Sequence, residues 1–183
     1  MKVAVMLALM AVLLVVPRVG FAATDLKSYR IHLNGALSGI QDGSPGRLYW
    51  ARRDLGFIIR HENWDPVHRS VAYYYIGVIE SMENNLAGAM QNYVAALKLN
   101  PEYPEAHFNL GAVYYKQGLL KKAEEAFLKS IELQPEYGRA HYSLGFVYFE
   151  QKKYDLARKH AEKAADFGVP YRTLKEKLGK AEK

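Results

Sequence analysis

Two histidines bracket a short polar run, His61-Glu62-Asn63-Trp64-Asp65-Pro66-Val67-His68, the densest group of metal-ligand types in the 183-residue chain. Two imidazoles with a carboxylate between them could hold Zn, which takes sets of His nitrogens and carboxylate oxygens. The spacing argues against it. A helical zinc motif sets its second His four residues after the first, whereas Pro66 breaks any helix between these two. The expectation is a polar interhelix turn, with no metal and no other cofactor. His107 and His141 form a second pair further along, and packing at a joint between structural units accounts for them better than a catalytic or pH-sensing pair. There is no Ser in G-x-S-x-G, no Gly-rich phosphate loop and no matched pair of carboxylates in an evident cleft. The absence of Cys removes disulfides, iron–sulfur ligation, thiol catalysis and c-type haem attachment. A non-catalytic protein is therefore expected, with an enzyme or metal carrier built on the His61 to His68 group as the remote alternative.

Whatever the chain does must rest on its elements. Half of the residues are apolar and 24% are charged, an ordinary globular balance. Residues 1–22 stand apart: Lys2, an apolar run from Val3 to Val16, then Pro17 and Arg18, and the small residues Gly20 and Ala22 around Phe21. This is the pattern of a secretory signal with cleavage expected after Ala22. The alternative is a retained membrane anchor, although the run from Val3 to Val16 falls short of the roughly 20 residues that span a bilayer. The protein is therefore expected to be periplasmic or secreted, with no stable membrane insertion after cleavage. Past Ala22 the balance is 23 bases to 19 acids, too mild to argue for nucleic acid as a partner.

A constant period runs through the rest, set by the equal steps from Ser70 to Pro104 and from Pro104 to Gly138. Lines beginning at those three residues align without gaps: Ile76-Gly77 over Leu110-Gly111 and Leu144-Gly145, Ala89 over Ala123 and Ala157, Tyr93 over Phe127, Tyr114 over Tyr148, and Pro101 over Pro135. His107 and His141 share one column. Within one line, Leu110, Val113, Tyr114 and Gln117 share one face of a first helix, and Gly118 ends it. Ala123, Ala126, Phe127, Ser130, Ile131 and Leu133 give a second amphipathic helix, ended at Gln134-Pro135. The Gly111 and Ala123 columns are small where two helices must approach closely. Each hairpin leaves an apolar face for the next to cover, so the hairpins are expected to stack into a right-handed superhelix.

These residues resemble the tetratricopeptide repeat (TPR), with its helical hairpin of about 34 residues and its order of aromatic, Leu-Gly, Tyr, Ala, Phe, Ala and Pro. The resemblance spans Ser70 to about Phe167. Three departures stand out: Glu80 occupies the Tyr114 column, His107 and His141 replace a bulkier aromatic, and Ala161 occupies the column of Tyr93 and Phe127. The resemblance implies an all-α solenoid with repeats over 70–103, 104–137 and 138–169. Residues 23–69 read as a degenerate hairpin of the same kind, without the Leu-Gly and Ala columns, with Ser44 capping its second helix and Arg47, Arg52, Arg53 and Arg60 on a solvated face. Residues 170–183, with Leu174 and Leu178 on one stripe, read as a capping helix.

The family's concave groove is lined by one face of each first helix. Here that face carries Tyr74, Val78 and Met82, then Phe108, Ala112 and Tyr115, then Tyr142, Phe146 and Phe149. Rigid rings beyond what packing needs give a peptide groove contact area at low entropic cost; the competing assignment is internal packing. Asn109 and Arg139 match two places of the carboxylate clamp found in some members, but Tyr74, Val78 and Ser143 stand where its other polar residues belong. The resemblance thus implies a protein-interaction module, an adaptor or scaffold in envelope assembly or secretion that holds another protein or peptide segment. Self-association as a homo-oligomer is the alternative.

Overall fold

The structure, a computed structural model, describes residues 23–61 and 64–181. Residues 1–22, where a signal is expected from the sequence, and Glu62 and Asn63 of the polar run lie outside the described residues. Nine helices and no strand make up the described chain: α1 (Ala23–Asp42), α2 (Pro45–Arg60), α3 (Pro66–Met82), α4 (Leu86–Leu99), α5 (Pro104–Lys116), α6 (Leu120–Leu133), α7 (Gly138–Glu150), α8 (Tyr154–Asp166) and α9 (Arg172–Ala181). Helices pair in chain order, α1 with α2, α3 with α4, α5 with α6 and α7 with α8, and each hairpin then packs on the next through its neighbouring helices. α9 closes the series against α8 and α7. No helix among the described residues is long and apolar enough to cross a membrane.

The punctuation of these helices is local chemistry. Asp65 caps α3 by accepting from the Val67 amide at 2.7 Å, with Pro66 in the first turn, and Asn85 caps α4 by accepting from the Gly88 amide at 3.1 Å. The first helix of that hairpin therefore starts one turn ahead of Ser70. Ser44 precedes α2, yet its side chain makes no capping bond; its own amide instead donates to Asp42 Oδ1 at 3.1 Å. Between the two helices of each repeat one residue must take the left-handed region. Asn84, Gly118 and Lys152, which share one column of the repeat, have φ of 60°, 75° and 61°. Glycine does this freely and asparagine at small cost, while lysine bears the full steric penalty.

The crossings of the hairpins explain the small-residue columns. A Cβ on Gly77 would come within 2.6 Å of the Tyr93 ring, and one on Gly111 within 2.8 Å of the Phe127 ring. In the third repeat the ring is missing, because Ala161 stands in its place, and Leu174 of α9 reaches in to 2.8 Å from the Cβ position of Gly145. Leu174 is 0% exposed. The capping helix thus supplies from outside the repeat the side chain that the repeat lacks.

The α1–α2 hairpin contains the same crossing. A Cβ on Gly39 would lie 2.7 Å from the Arg47 carbonyl oxygen and 3.1 Å from Ala51 Cβ. Gly39 and Ala51 precede Gly77 and Ala89 by one helical turn more than Gly77 and Ala89 precede Gly111 and Ala123. The columns that the repeat register does not show are therefore present, one turn early. A further difference from the sequence expectation concerns Arg52. It is half-buried, and its guanidinium donates to Glu83 Oε1 at 3.0 Å and to Glu80 Oε1 at 3.1 Å, tying α2 to α3. The same contact explains why Glu80 replaces the aromatic found at Tyr114 and Tyr148.

Candidate functional site

A cleft of about 300 Å³ opens along the first helices of the repeats. α3 contributes Val78, Ser81 and Met82; α5 contributes Phe108, Asn109, Ala112, Val113 and Lys116; Tyr93 of α4 and Arg139 of α7 complete it. Helical spacing puts Val78 with Met82, and Asn109, Ala112, Val113 and Lys116, each on one face. The floor is apolar. Met82 is 50% exposed and projects at one edge, whereas Phe108 is only 6% exposed, held between Phe127 (ring centres 5.7 Å apart), Tyr137 (5.1 Å) and the Arg139 guanidinium 4.9 Å above its ring. Phe108 is core that shows an edge to the cleft, so groove lining and internal packing meet in one ring.

Polar groups in the cleft are held in place. Ser81 Oγ and the Tyr93 hydroxyl lie 3.1 Å apart, and burial pushes the Tyr93 phenol up to about 12, so it stays neutral at ordinary pH. Asn109 Nδ2 donates to the Tyr74 hydroxyl at 3.1 Å. The Tyr74 ring itself is turned away into the packing, tilted against Tyr103 at 4.8 Å and edge-on to Tyr75 at 5.0 Å, and desolvation raises its phenol well above the ordinary value. Tyr74 therefore positions Asn109 and is not among the residues that line this cleft. The two cations, Lys116 and Arg139, are exposed at the rim, and no carboxylate is among the lining residues.

Of the groove residues read from sequence, the cleft gathers Val78, Met82, Phe108, Asn109, Ala112 and Arg139. The others lie outside its lining. Tyr115 is half-buried with its phenol raised, chiefly by desolvation and then by the Glu150 charge. Tyr142 meets Phe146 edge-on at 5.0 Å, and Phe149 lies 5.7 Å from Tyr154 beneath the Lys177 ammonium at 5.5 Å. The rings of α7 are half-buried, packed partly against the core. Ser81, Tyr93, Val113 and Lys116 were not read from sequence as groove residues. Lys116 follows Ala112 by one turn on the same face, a spacing that was legible; Tyr93 reaches the cleft from a second helix, which no single-helix spacing could show.

The histidines fall into separate settings. His61 is exposed against Phe57 (4.5 Å) and Trp64 (4.8 Å), while His68 is buried edge-on to Tyr29 at 4.3 Å. Among the described residues no group of three or more His, Asp or Glu is placed to hold a metal ion. His107 and His141 repeat one bond: Nε2 of each lies against the carbonyl oxygen of the preceding turn's proline, Pro101 at 2.9 Å and Pro135 at 3.0 Å. A polar ring that ties a helix to the preceding turn is what that column contains. His141 Nδ1 also meets His160 Nδ1 at 3.0 Å, and burial, with the His141, Lys163 and Lys159 charges, lowers His160 to about 4.

Comparison with known proteins fits this geometry. Family models for the tetratricopeptide repeat match residues 83–118, 104–137 and 126–159. The chain is an all-α solenoid of tetratricopeptide repeats. Among solved structures, the crystal structure of MamA is similar at 28% identity with a TM-score of 0.65, over 79% of this chain and 81% of that one. The Arabidopsis OM64 TPR domain is similar at 17% identity and TM-score 0.61, over 63% of this chain and 98% of the domain. The first TPR of Spaghetti (RPAP3), solved bound to the HSP90 peptide SRMEEVD, is similar at 17% and 0.58, over 62% and 95%. No curated protein matches the chain. The matched region begins at residue 83, after α3, and the α1–α2 hairpin lies outside it.

Proposed function

We propose that this protein is an exported, non-catalytic interaction module. Its cleft holds a partner segment that presents an apolar side chain next to a carboxylate, in envelope assembly or secretion. The observation that carries this reading is the pairing in one cleft of an apolar floor (Val78, Ala112, Val113) with two rim cations and no lining acid. An apolar side chain entering it gains burial free energy, and a neighbouring carboxylate finds Lys116 and the planar fork of Arg139. The fold-level likeness to a domain solved with an acidic peptide supports a peptide-sized occupant. Tyr115, Tyr142, Phe146 and Phe149 continue the same side of the solenoid and extend the contact for a longer segment.

The test is a photo-crosslinking residue at Met82, exposed at the edge of the cleft, in the native host. A dominant partner whose capture is lost in Lys116→Glu with Arg139→Glu supports the reading. Capture that survives both reversals, or none at all, sinks it, and capture only of a second copy of the chain assigns the cleft to self-association instead. Export predicts a secreted or periplasmic form whose first residue, by mass spectrometry, is Ala23; a form retaining Met1 in the cytoplasm overturns that part.

A further inference from the structure

The charge of this protein is segregated. Residues 23–149 hold 13 bases and 13 acids, whereas residues 150–183 hold 10 bases against 6 acids. All the net positive charge that follows Ala22 thus sits at the α8–α9 end. Its kind also differs: eight of those ten bases are Lys, against six of the thirteen before. Lysine is a compact, strongly hydrated point charge, suited to diffuse attraction, whereas arginine favours fixed bidentate partners.

On the solvent side of α8, Leu156, Lys159, Lys163 and Phe167 follow at steps of three, four and four, one continuous stripe turned away from the buried Ala157, Ala161 and Ala164. Leu156 is 40% and Phe167 41% exposed. Phe167 rests one side of its ring 5.6 Å from His141, and Gly168, at φ 76°, turns the chain just after it, placing the ring at the corner before α9. Asp155, Glu162 and Asp166 lie on one flank of the stripe, and Arg172, Lys175 and Lys180 are exposed on the adjoining α9. The equivalent positions on α6, one repeat earlier, are Lys122, Glu125, Lys129 and Leu133, which alternate in sign at the middle and bring an ion pair from Lys129 to Glu132. The α8 stripe has no acid within it, although α8 as a whole balances three bases with three acids, and the excess of bases comes from Lys152 and Lys153 in the turn before it and from α9.

We propose that the outer face of α8, with the Phe167 corner, docks on an anionic phospholipid surface. Two lysines between two exposed apolar side chains, with the exposed bases of α9 beside them, let ammonium groups sit among headgroup phosphates while Leu156 and Phe167 enter the interfacial layer. A folded acidic protein would call for planar, paired recognition, which this face lacks. Leu174 and Leu178 are buried against the last hairpin, so α9 contributes charge and not insertion.

Because the chain contains no Cys, Leu156→Cys and Phe167→Cys in the full-length protein can each carry a single environment-sensitive fluorophore. The local readout is blind to any attachment through residues 1–22. Both dyes should shift to the blue with phosphatidylcholine vesicles containing phosphatidylglycerol, and not with phosphatidylcholine alone; high salt should abolish the shift. Lys159→Glu with Lys163→Glu should weaken binding by at least about tenfold. The same dye on Leu128→Cys of α6, equally exposed at 41%, should stay unchanged. No shift at low salt, an equal shift at position 128, or binding that survives both reversals overturns the proposal, as does tighter binding to polyglutamate than to the anionic vesicles. Should the double reversal unfold, Leu156→Ser with Phe167→Ser must reduce vesicle binding with the helical circular dichroism retained.

Discussion

The two ends of the solenoid solve one problem differently. At the N-terminal end, α1 and α2 cross at Gly39 and Ala51, where the nearest obstacle is a backbone carbonyl, and an arginine with two carboxylates holds the hairpin to α3. At the C-terminal end, α7 and α8 cross at Gly145 without an aromatic, and Leu174 of the ninth helix fills the notch. The middle repeats need neither device, since Tyr93 and Phe127 fill their own notches. A repeat flanked on both sides can be regular; an end must improvise, because nearest-neighbour interfaces are where a solenoid gains its stability.

Removing the improvised side chain should cost most. Leu174→Ala deletes a fully buried residue from a tight notch, and urea denaturation should show a loss of about 3 kcal/mol. A loss under about 1 kcal/mol would mean that α9 merely covers the end. Next comes a direct contrast of crossings. Gly111→Ala meets a ring that can shift, whereas Gly39→Ala meets the Arg47 carbonyl, which cannot. Both should destabilise, by about 1–3 kcal/mol, with Gly39→Ala the worse. The reverse order in matched denaturation curves would break the account of the N-terminal crossing.

The C-terminal end should also be acid-sensitive. His160 is lowered in the folded state to about 4, so the folded protein resists a proton that the unfolded chain accepts near its ordinary value of about 6.5. That stability is complete above the unfolded value and declines as pH falls from about 6.5 towards 4. Because His160 is only half-buried, a loss on the order of 1 kcal/mol is expected between pH 7.5 and 5. His160→Phe should flatten the profile, and an unchanged slope would remove the pair as its cause. The smallest effect is a gain. Lys152→Gly relieves a left-handed lysine in the turn where Gly118 stands one repeat earlier, and should stabilise by about 0.5–1 kcal/mol, since the released strain is partly offset by the freer unfolded chain. No gain in melting temperature would show that Lys152 sits there without strain.

Much of the fold was legible because a repeat states each contact three times. Gly77, Gly111 and Gly145 could be read as close approaches from their column alone, and Ala161 marked the repeat that differs. The one-turn offset of Gly39 and Ala51 escaped, because a fixed register erases any hairpin joined by a linker of another length. Arg52 read as solvated because its partners, Glu80 and Glu83, lie on another helix 28 and 31 residues away. The cleft was legible where one helix face decided it, as at Val78 and Ala112, and Asn109 and Arg139 came from the likeness to the carboxylate clamp. It was not legible at Tyr74, where the direction of the ring depends on Tyr103 and Tyr75, nor at Tyr93, which arrives from behind.

Leu174 in the Gly145 notch has a meaning for growth. Paired helices always leave an open flank on which another pair could sit, and only an odd helix ends the count. With its side chain in the notch that the other repeats fill with a ring of their own, α9 acts as a stopper: lengthening this array would require withdrawing the stopper and restoring a ring at position 161. Replacing residues 170–183 by a fourth repeat, with Ala161→Phe, is then the rational way to build a longer version, and a graft that leaves Leu174 in place should fail to dock.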